Sequence, residues 1–280
     1  MSARLLDGRQ LAKDRKRQLA ERVKHLRVRG CIPTLAVILP TQDEASLAYF
    51  RAKTRAATKL GIEIVGHQLE SPSTIAIVDC IQSLAKNPVV DGIMVEAPIP
   101  EHIDMQAIRA ALPATKDVDG AGIESLGCLL SGKPAFVPAT SAAALALAET
   151  AGEVTGKHAV IIGRSLVVGR PLALLLLAQD ATVSICHSKT MNLADIARSA
   201  DILFVAVGRA GFVTGDMVAP GAVVIDIGTN MVNGKLIGDV DAGSVEAIAG
   251  SLSRVPGGVG PLTTTLLLEH VVQAAEAAIG

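Results

Sequence analysis

Tyr49, the only tyrosine in the chain, stands four positions before Lys53 in the run Asp43-Glu44-Ala45-Ser46-Leu47-Ala48-Tyr49-Phe50-Arg51-Ala52-Lys53. Residues four apart share one face of a helix, so a phenol and an amine would project together. That pair is the first place to look for chemistry. A surface helix with its aromatic turned inward gives the same spacing without chemistry, so the rest of the chain must decide. A second candidate is Gly163-Arg164-Ser165-Leu166-Val167-Val168-Gly169-Arg170-Pro171, which follows an aliphatic run and leads into the apolar stretch 172–178. A glycine turn between strand and helix lets backbone N–H groups and the positive helix end meet a pyrophosphate. The spacing is not Gly-x-Gly-x-x-Gly, so a structural turn is the competing reading. The following strand ends in Cys186-His187-Ser188-Lys189, without the carboxylate that holds a ribose 2′-hydroxyl in NAD-binding folds. With Arg164 in the neighbouring loop, these residues predict NADP rather than NAD. Arg164 and Ser188 fall near the 2′-phosphate, and Lys189 could assist.

The elements that position these groups alternate. Residues 34–39 read as a buried strand, 44–60 as a helix ended by Gly61, 62–65 as a strand, 75–84 as a helix and 92–95 as a strand. That βαβαβ order requires a parallel sheet. Pro98, Pro100, Pro113 and Pro134 mark loops, after which Thr140 or Ser141 could cap an alanine-rich helix over 142–148. Strands read again at 158–162, 182–186, 202–207 and 222–227, with helical material between them, and an apolar helix closes the chain at 262–279. The expected fold is α/β with two parallel-sheet domains. Residues 1–138 form the first, joined by the C-terminal helix 262–280, which packs back on it; residues 139–261 form a Rossmann-like nucleotide domain.

Composition narrows the class. The chain of 280 residues is 50% hydrophobic with five aromatic residues, which suits aliphatic layers of helix on sheet. Twenty-six basic and 27 acidic residues leave a net charge of −1 without a block of one sign, so no nucleic-acid partner is expected. The basic stretch 13–29 carries Leu19, Val23 and Leu26 on one side and reads as an amphipathic helix. Four scattered cysteines suit a reducing compartment and offer no zinc spacing, so no metal is expected. No aliphatic run approaches the roughly 20 residues that cross a bilayer, and the expected location is the cytoplasm.

Six ordered blocks then carry a resemblance. Asp43 through Lys53, Lys116-Asp117-Val118-Asp119-Gly120, Gly163 through Pro171, Val207-Gly208-Arg209-Ala210-Gly211, Ile225-Asp226-Ile227-Gly228-Thr229-Asn230 and Val255-Pro256-Gly257-Gly258-Val259-Gly260-Pro261 resemble methylenetetrahydrofolate dehydrogenase/cyclohydrolase. The resemblance implies NADP-dependent oxidation of 5,10-methylenetetrahydrofolate in a cleft between the domains, and hydrolysis of the methenyl product to 10-formyltetrahydrofolate. It also implies a homodimer joined through the nucleotide domain. Tyr49 would stack on the folate, Lys53 would be the acid/base group, and Asp119 would grip the pterin amidine. Val95 would belong to the substrate site, and the turn of Pro256, Gly257 and Gly258 would let backbone approach the ligand. Gly163, Arg164, Ser165, Ser188 and Thr229 would line the cofactor site. The six histidines receive no catalytic role.

The chain departs from that family at Val95-Glu96-Ala97-Pro98-Ile99-Pro100, where a glutamine usually precedes the first proline by two positions. Glu96 would set a carboxylate beside Lys53, an attraction of roughly 4 kcal/mol at about 4 Å and a dielectric of about 20, before desolvation. An amine engaged in this way is a poorer base for activating water, so Glu96 is expected to weaken, alter or abolish hydrolysis while sparing hydride transfer. A monofunctional dehydrogenase or a non-catalytic folate-binding paralogue is the alternative. A second departure is Pro138-Ala139-Thr140-Ser141-Ala142-Ala143, in place of the usual Pro-Cys-Thr-Pro-x-Gly. A short-chain dehydrogenase also uses Tyr-x-x-x-Lys, but its glycine loop precedes the tyrosine, the reverse of the order here. A shikimate-dehydrogenase-like enzyme would leave the Lys-Asp-Val-Asp-Gly and Pro-Gly-Gly blocks without a role.

Overall fold

The computed structural model describes residues 2–41 and 43–280. In chain order the elements begin β1 (Arg4–Leu6), α1 (Gly8–Val28), β2 (Thr34–Leu39), α2 (Glu44–Thr58), β3 (Glu63–Gln68), α3 (Thr74–Lys86), β4 (Gly92–Val95), α4 (Met105–Ala111) and α5 (Ile123–Ser131). They continue with α6 (Ala139–Glu149), β5 (His158–Ile162), α7 (Gly169–Leu177), β6 (Thr182–Cys186), α8 (Leu193–Arg198) and β7 (Ile202–Val205). The last are β8 (Val223–Asp226), β9 (Asn230–Val232), β10 (Lys235–Ile237), α9 (Ala242–Val245), β11 (Ser251–Ser253) and α10 (Val259–Ile279). The chain divides into two compact units. One comprises Asp14–Val137 with Thr264–Gly280, and the other comprises Pro138–Thr263 with the segment up to Lys13.

The first unit is built on a three-stranded sheet in the order β3-β2-β4, parallel throughout. All six residues of the central β2 are buried, because strands flank it on both sides and apolar side chains cover its faces. Ile77, Ile81 and Leu84 recur at helical spacing on α3 and join Ala36, Ile38 and Ile93 in one core cluster. Ser73 caps α3 by accepting from Ala76 N at 3.1 Å, and Asp43 caps α2 by accepting from Ser46 N at 2.9 Å. Helix α2 stops where Gly61 N donates to Thr58 O and Ile62 N to Ala57 O. Leu19, Val23 and Leu26 bury the apolar side of α1. The C-terminal helix belongs to this unit: Arg15 meets Glu269 at 3.0 Å, and Arg22 grips Glu276 with two nitrogens at 2.7 and 3.0 Å.

The second unit holds six parallel strands in the order β1-β11-β8-β7-β5-β6. Its core is aliphatic, with Val160, Ile162, Leu203, Val205, Val224 and Leu252 buried from successive strands. Strands β6 and β7 flank β5 on opposite sides, so the direction of winding reverses at β5. A crevice opens outside the strand ends at such a reversal, where nucleotides bind in doubly wound sheets. The expected grouping of residues 1–138 does not hold at its start, because Arg4–Leu6 pairs in register with Ser251–Ser253 of this second sheet. Three residues carry no periodicity, and their partner strand lies far along the chain. Thr140 and Ser141 also differ from expectation as caps. Helix α6 begins at Ala139 behind Pro138, and the Ser141 hydroxyl is buried, donating to Val168 O at 2.9 Å. Pro138 itself is the N-cap, outside the helical region at ψ 118° and without a side-chain cap bond.

Gly92 is the point where core packing sets the site. A Cβ there would lie 2.8 Å from both methyl groups of the wholly buried Val118, next to Asp119. A buried β-branched side chain has no alternative rotamer to retreat into. Gly92→Ala should therefore destabilise the protein by about 1–3 kcal/mol, read as a lower urea midpoint with an unchanged slope. An unaltered midpoint would show that Val118 is free to yield.

Candidate active site

In the three-stranded unit, the Asp43 cap fixes the start of α2, and Tyr49 and Lys53 follow on one face of that helix. Tyr49 is 62% exposed, so its ring is presented outward rather than packed into the core. Lys53 bends inward: its Nζ lies 2.7 Å from Glu96 Oε2 and 3.2 Å from Met94 Sδ, and the Lys53 and Glu96 side chains are each 12% exposed. Glu96 follows directly on β4, held there by its N–H donating to Ile38 O of β2 at 2.9 Å. Val95, the last residue of β4, is half-buried beside it. The expected meeting of Glu96 with Lys53 is thus present as a hydrogen-bonded ion pair.

Asp119 stands on a turn whose other members are buried. Asp117 turns back to accept from Gly122 N at 2.7 Å and Ala121 N at 3.2 Å. Val118 packs on β4, and its carbonyl oxygen lies 2.8 Å from Nδ1 of the buried His270 on α10. The Asp119 carboxyl lies within electrostatic reach of both Lys53 and Glu96. Burial first, then the neighbouring Asp117, push its carboxyl up from the usual 3.8 to about 7; Lys53 opposes the rise and Glu96 adds to it. The unit therefore gathers one ammonium, one carboxylate bound to it and one carboxyl poised between its two forms. This constellation can exchange protons and accept paired N–H donors.

In the six-stranded unit a cavity of about 260 Å³ opens at the winding reversal. Its walls include Gly163 and Arg164 after β5, His187 and Ser188 after β6, and Arg209 and Phe212 after β7. Gly163 has φ +135°, and a Cβ there would lie 2.3 Å from Ala206 O, so only glycine lets this turn pass the next strand. The walls carry two guanidinium groups, an imidazole and a hydroxyl but no carboxylate. That donor set fits a phosphorylated ribose and is unsuited to gripping a free 2′,3′-diol. Ser165 is not a wall residue; its Oγ accepts from Val168 N at 3.1 Å ahead of α7. Exposed Thr229 and Lys189 are likewise absent from the walls. Pro256, Gly257 and Gly258 form the turn before α10, where a Cβ on Gly8 would overlap Gly258 O at 1.8 Å. His187 and Arg209 stand inside the 186–189 and 207–211 stretches without a role assigned to either, and Phe212 belongs to no motif; what marks all three as wall residues is a place just beyond a strand end. No cluster of three or more potential metal ligands occurs among the described residues.

A Rossmann-like nucleotide unit and a second parallel-sheet unit bearing a lysine-centred acid/base cluster define a two-domain nucleotide-dependent enzyme. Residues 6–119 match the catalytic domain of tetrahydrofolate dehydrogenase/cyclohydrolase, and residues 138–279 match the NAD(P)-binding domain of the same family. The chain belongs to the tetrahydrofolate dehydrogenase/cyclohydrolase family. It is 48% identical over 273 residues to a bifunctional protein FolD from a Parafrankia strain, covering 97% of this chain and 99% of that one. The crystal structure of the bifunctional FolD enzyme of Campylobacter jejuni superposes with a TM-score of 0.95 at 38% identity, covering 99% of both chains. The Trypanosoma brucei enzyme, solved with NADP and an inhibitor, gives 0.93 at 33% identity, covering 100% of this chain and 99% of that one.

The Asp119 environment has a measurable consequence. Unfolded, its carboxyl ionises near 3.8; folded, it keeps its proton until about 7. Between those values the native state binds more protons, so stability falls as pH rises, and the loss is complete above about 7. Asp119→Asn escapes this cost. Its stability relative to wild type should climb between about pH 4 and 8 by roughly 2–4 kcal/mol and then level off. Asp226, likewise raised to about 6, is common to both proteins and cancels. A stability difference that stays flat with pH in thermal melts would refute the assignment.

Proposed function

We propose that the protein oxidises 5,10-methylenetetrahydrofolate to the 5,10-methenyl compound with NADP, and hydrolyses that product to 10-formyltetrahydrofolate. The observation that carries this reading is the Lys53 amine, drawn inward from α2 to Glu96 and within electrostatic reach of Asp119. Folate derivatives are the substrate class. Lys53 is the acid/base and positioning group, and exposed Tyr49 offers a ring face for the pterin. Ionised Asp119 accepts the two N–H donors of the pterin amidine, a pairing that gives orientation as well as affinity. Val95 completes the wall beside Glu96, and Pro256, Gly257 and Gly258 supply backbone that can come close to ligand. Gly163, Arg164 and Ser188 hold the nucleotide, with Ser165 and Thr229 contributing at its margins. NADP, when bound, accepts the hydride removed from the one-carbon bridge.

Glu96 divides the two reactions. Oxidation turns the neutral bridge into a cationic amidinium, and a carboxylate nearby favours developing positive charge. Hydrolysis instead needs an amine free to take a proton from water, and the 2.7 Å contact occupies that amine. The balance at this site therefore leans toward dehydrogenation.

The assembly proposed is a homodimer formed through the nucleotide unit, where β6 is an outer strand and presents exposed Ile185. A cytoplasmic setting is supported by four free cysteines. No described helix is long and apolar enough to cross a membrane, and the near-balanced charge gives no pull toward nucleic acid.

The purified protein, given methylenetetrahydrofolate and NADP, should form methenyltetrahydrofolate. Lys53→Met should lower both activities by at least about a hundredfold, in the range of a lost acid/base group. Glu96→Gln should raise hydrolysis of the methenyl compound about tenfold, equal to roughly 1.4 kcal/mol of barrier, while dehydrogenation changes less than about threefold. Unchanged hydrolysis in Glu96→Gln would refute the damping. Folate binding without product at high enzyme concentration would replace the enzyme reading with that of a folate-binding protein.

A further inference from the structure

We propose that Arg209 is a second cationic determinant for NADP, contacting the adenosine 2′-phosphate from the loop after β7. The inference rests on the nucleotide-site reading and extends it to a residue in the Val207-Gly208-Arg209-Ala210-Gly211 block. Arg209 and Arg164 wall the same 260 Å³ cavity, from loops after adjacent strands. Two arginines bordering one small cavity concentrate positive charge around it, and among the described residues neither forms an ion pair with a carboxylate. A phosphate monoester carries about −1.5 to −2 charge near pH 7 and is matched by two such groups rather than one.

The guanidinium is also held in readiness. Its Cζ lies 4.8 Å from the centroid of the Phe212 ring, itself a wall residue. Stacking limits its rotamers while leaving its N–H edge free to bond a phosphate. The backbone beneath is fastened by Asp239, which is wholly buried. Asp239 accepts from Val207 N at 2.6 Å, Gly208 N at 2.8 Å and Arg209 N at 2.8 Å, so three successive amides are tied to one side chain. Ordering an arginine costs side-chain entropy, and this loop meets that cost before the ligand arrives.

Location decides which part of the nucleotide is contacted. The pyrophosphate belongs at the start of α7, beyond the Gly163 turn, whereas the ribose 2′ substituent belongs at the end of β6. The cavity reaches His187 and Ser188 after β6, and Leu193 with Phe212 supplies apolar surface suited to an adenine. Arg209 therefore faces the adenosine half.

The test compares wild type, Arg209→Gln and Arg164→Gln by calorimetric titration with 2′,5′-ADP and with 5′-AMP, alongside steady-state kinetics with NADP and NAD. Arg209→Gln should weaken 2′,5′-ADP about tenfold and raise KM for NADP by a similar factor, in line with the loss of one charge-assisted contact. Binding of 5′-AMP, KM for NAD and KM for the folate should stay within about twofold of wild type. Arg209→Lys, which keeps charge but loses the planar stack, should recover part of the loss. Wild-type affinity for 2′,5′-ADP in Arg209→Gln would overturn the proposal. So would an equal loss for 2′,5′-ADP and 5′-AMP, since Arg209 would then only shape the loop. Wild-type protein that binds 5′-AMP but gains nothing from the 2′-phosphate would instead remove the NADP reading itself, and this inference with it.

Discussion

Lys53 and Glu96 are 43 residues apart in sequence and 2.7 Å apart in space, and with 12% exposure each neither could stand alone. A half-buried ammonium or carboxylate left without its partner pays desolvation with nothing to offset it. The pair consequently requires that α2 and the end of β4 be held at one separation. The end of β4 is tied to β2, where Glu96 N bonds Ile38 O and β4 runs in register with Leu35–Ile38, while α2 packs on β3 on the other side of β2, its Phe50 ring lying against Gly66. The continuous apolar run of β2, buried on both faces, is what makes that separation stiff. Asp119 reaches the same point through Val118, whose packing on Gly92 and whose carbonyl contact with His270 tie the turn to β4 and to α10.

The six-stranded unit solves a similar problem with aspartates in place of an ion pair. Asp226 at the end of β8 accepts from Gly228 N, Asp239 N and Val240 N, and Asp239 in turn accepts from the loop after β7 and from Asn230 Nδ2 at 2.8 Å. Each carboxylate is answered by several backbone donors rather than by a cation. Burial outweighs those bonds for Asp226, whose carboxyl is pushed up to about 6. The two side chains knit three loops at the carboxyl ends of the strands, the end of the sheet at which the cavity beside Gly163 opens. Irregular segments thereby acquire the fixity that a strand has from its ladder.

Much of this was open to a reader of the sequence. Thr34–Leu39 reads as a buried strand because six apolar or small residues leave no solvent face, and Ile77, Ile81 and Leu84 read as a helix because they recur at its period. The missing carboxylate after β6 was visible as four letters, Cys186-His187-Ser188-Lys189. Strands β1 and β11 were not legible. Each has three residues, too few for a pattern, and each exists because the sheet offers it a partner. Arg209 lies inside a family block, yet no role for it is legible there, for a different reason. An exposed arginine in a glycine-bearing loop resembles any solvated charge until the loop is seen to end at a cavity wall. The Lys53–Glu96 contact could be anticipated only through family resemblance, since no local rule joins a helix residue to a strand end 43 positions later.

The two clusters also differ in how charge is balanced, and that difference follows from what each must receive. The cluster around Lys53 contains its own counter-charge: an ammonium, a carboxylate bound to it and a carboxyl whose proton is shared out near neutrality. Such a site can take a ligand that is neutral on entry and cationic after oxidation without a large change in field. The cavity beside Gly163 has no carboxylate among its wall residues, and among the described residues no ion pair engages Arg164 or Arg209. An uncompensated pair discriminates sharply, since the same cations that reward a phosphate gain nothing from a hydroxyl. Placing these two electrostatic regimes on separate parallel sheets, each at the ends of its strands, lets one chain keep a balanced site for chemistry and an unbalanced one for selection.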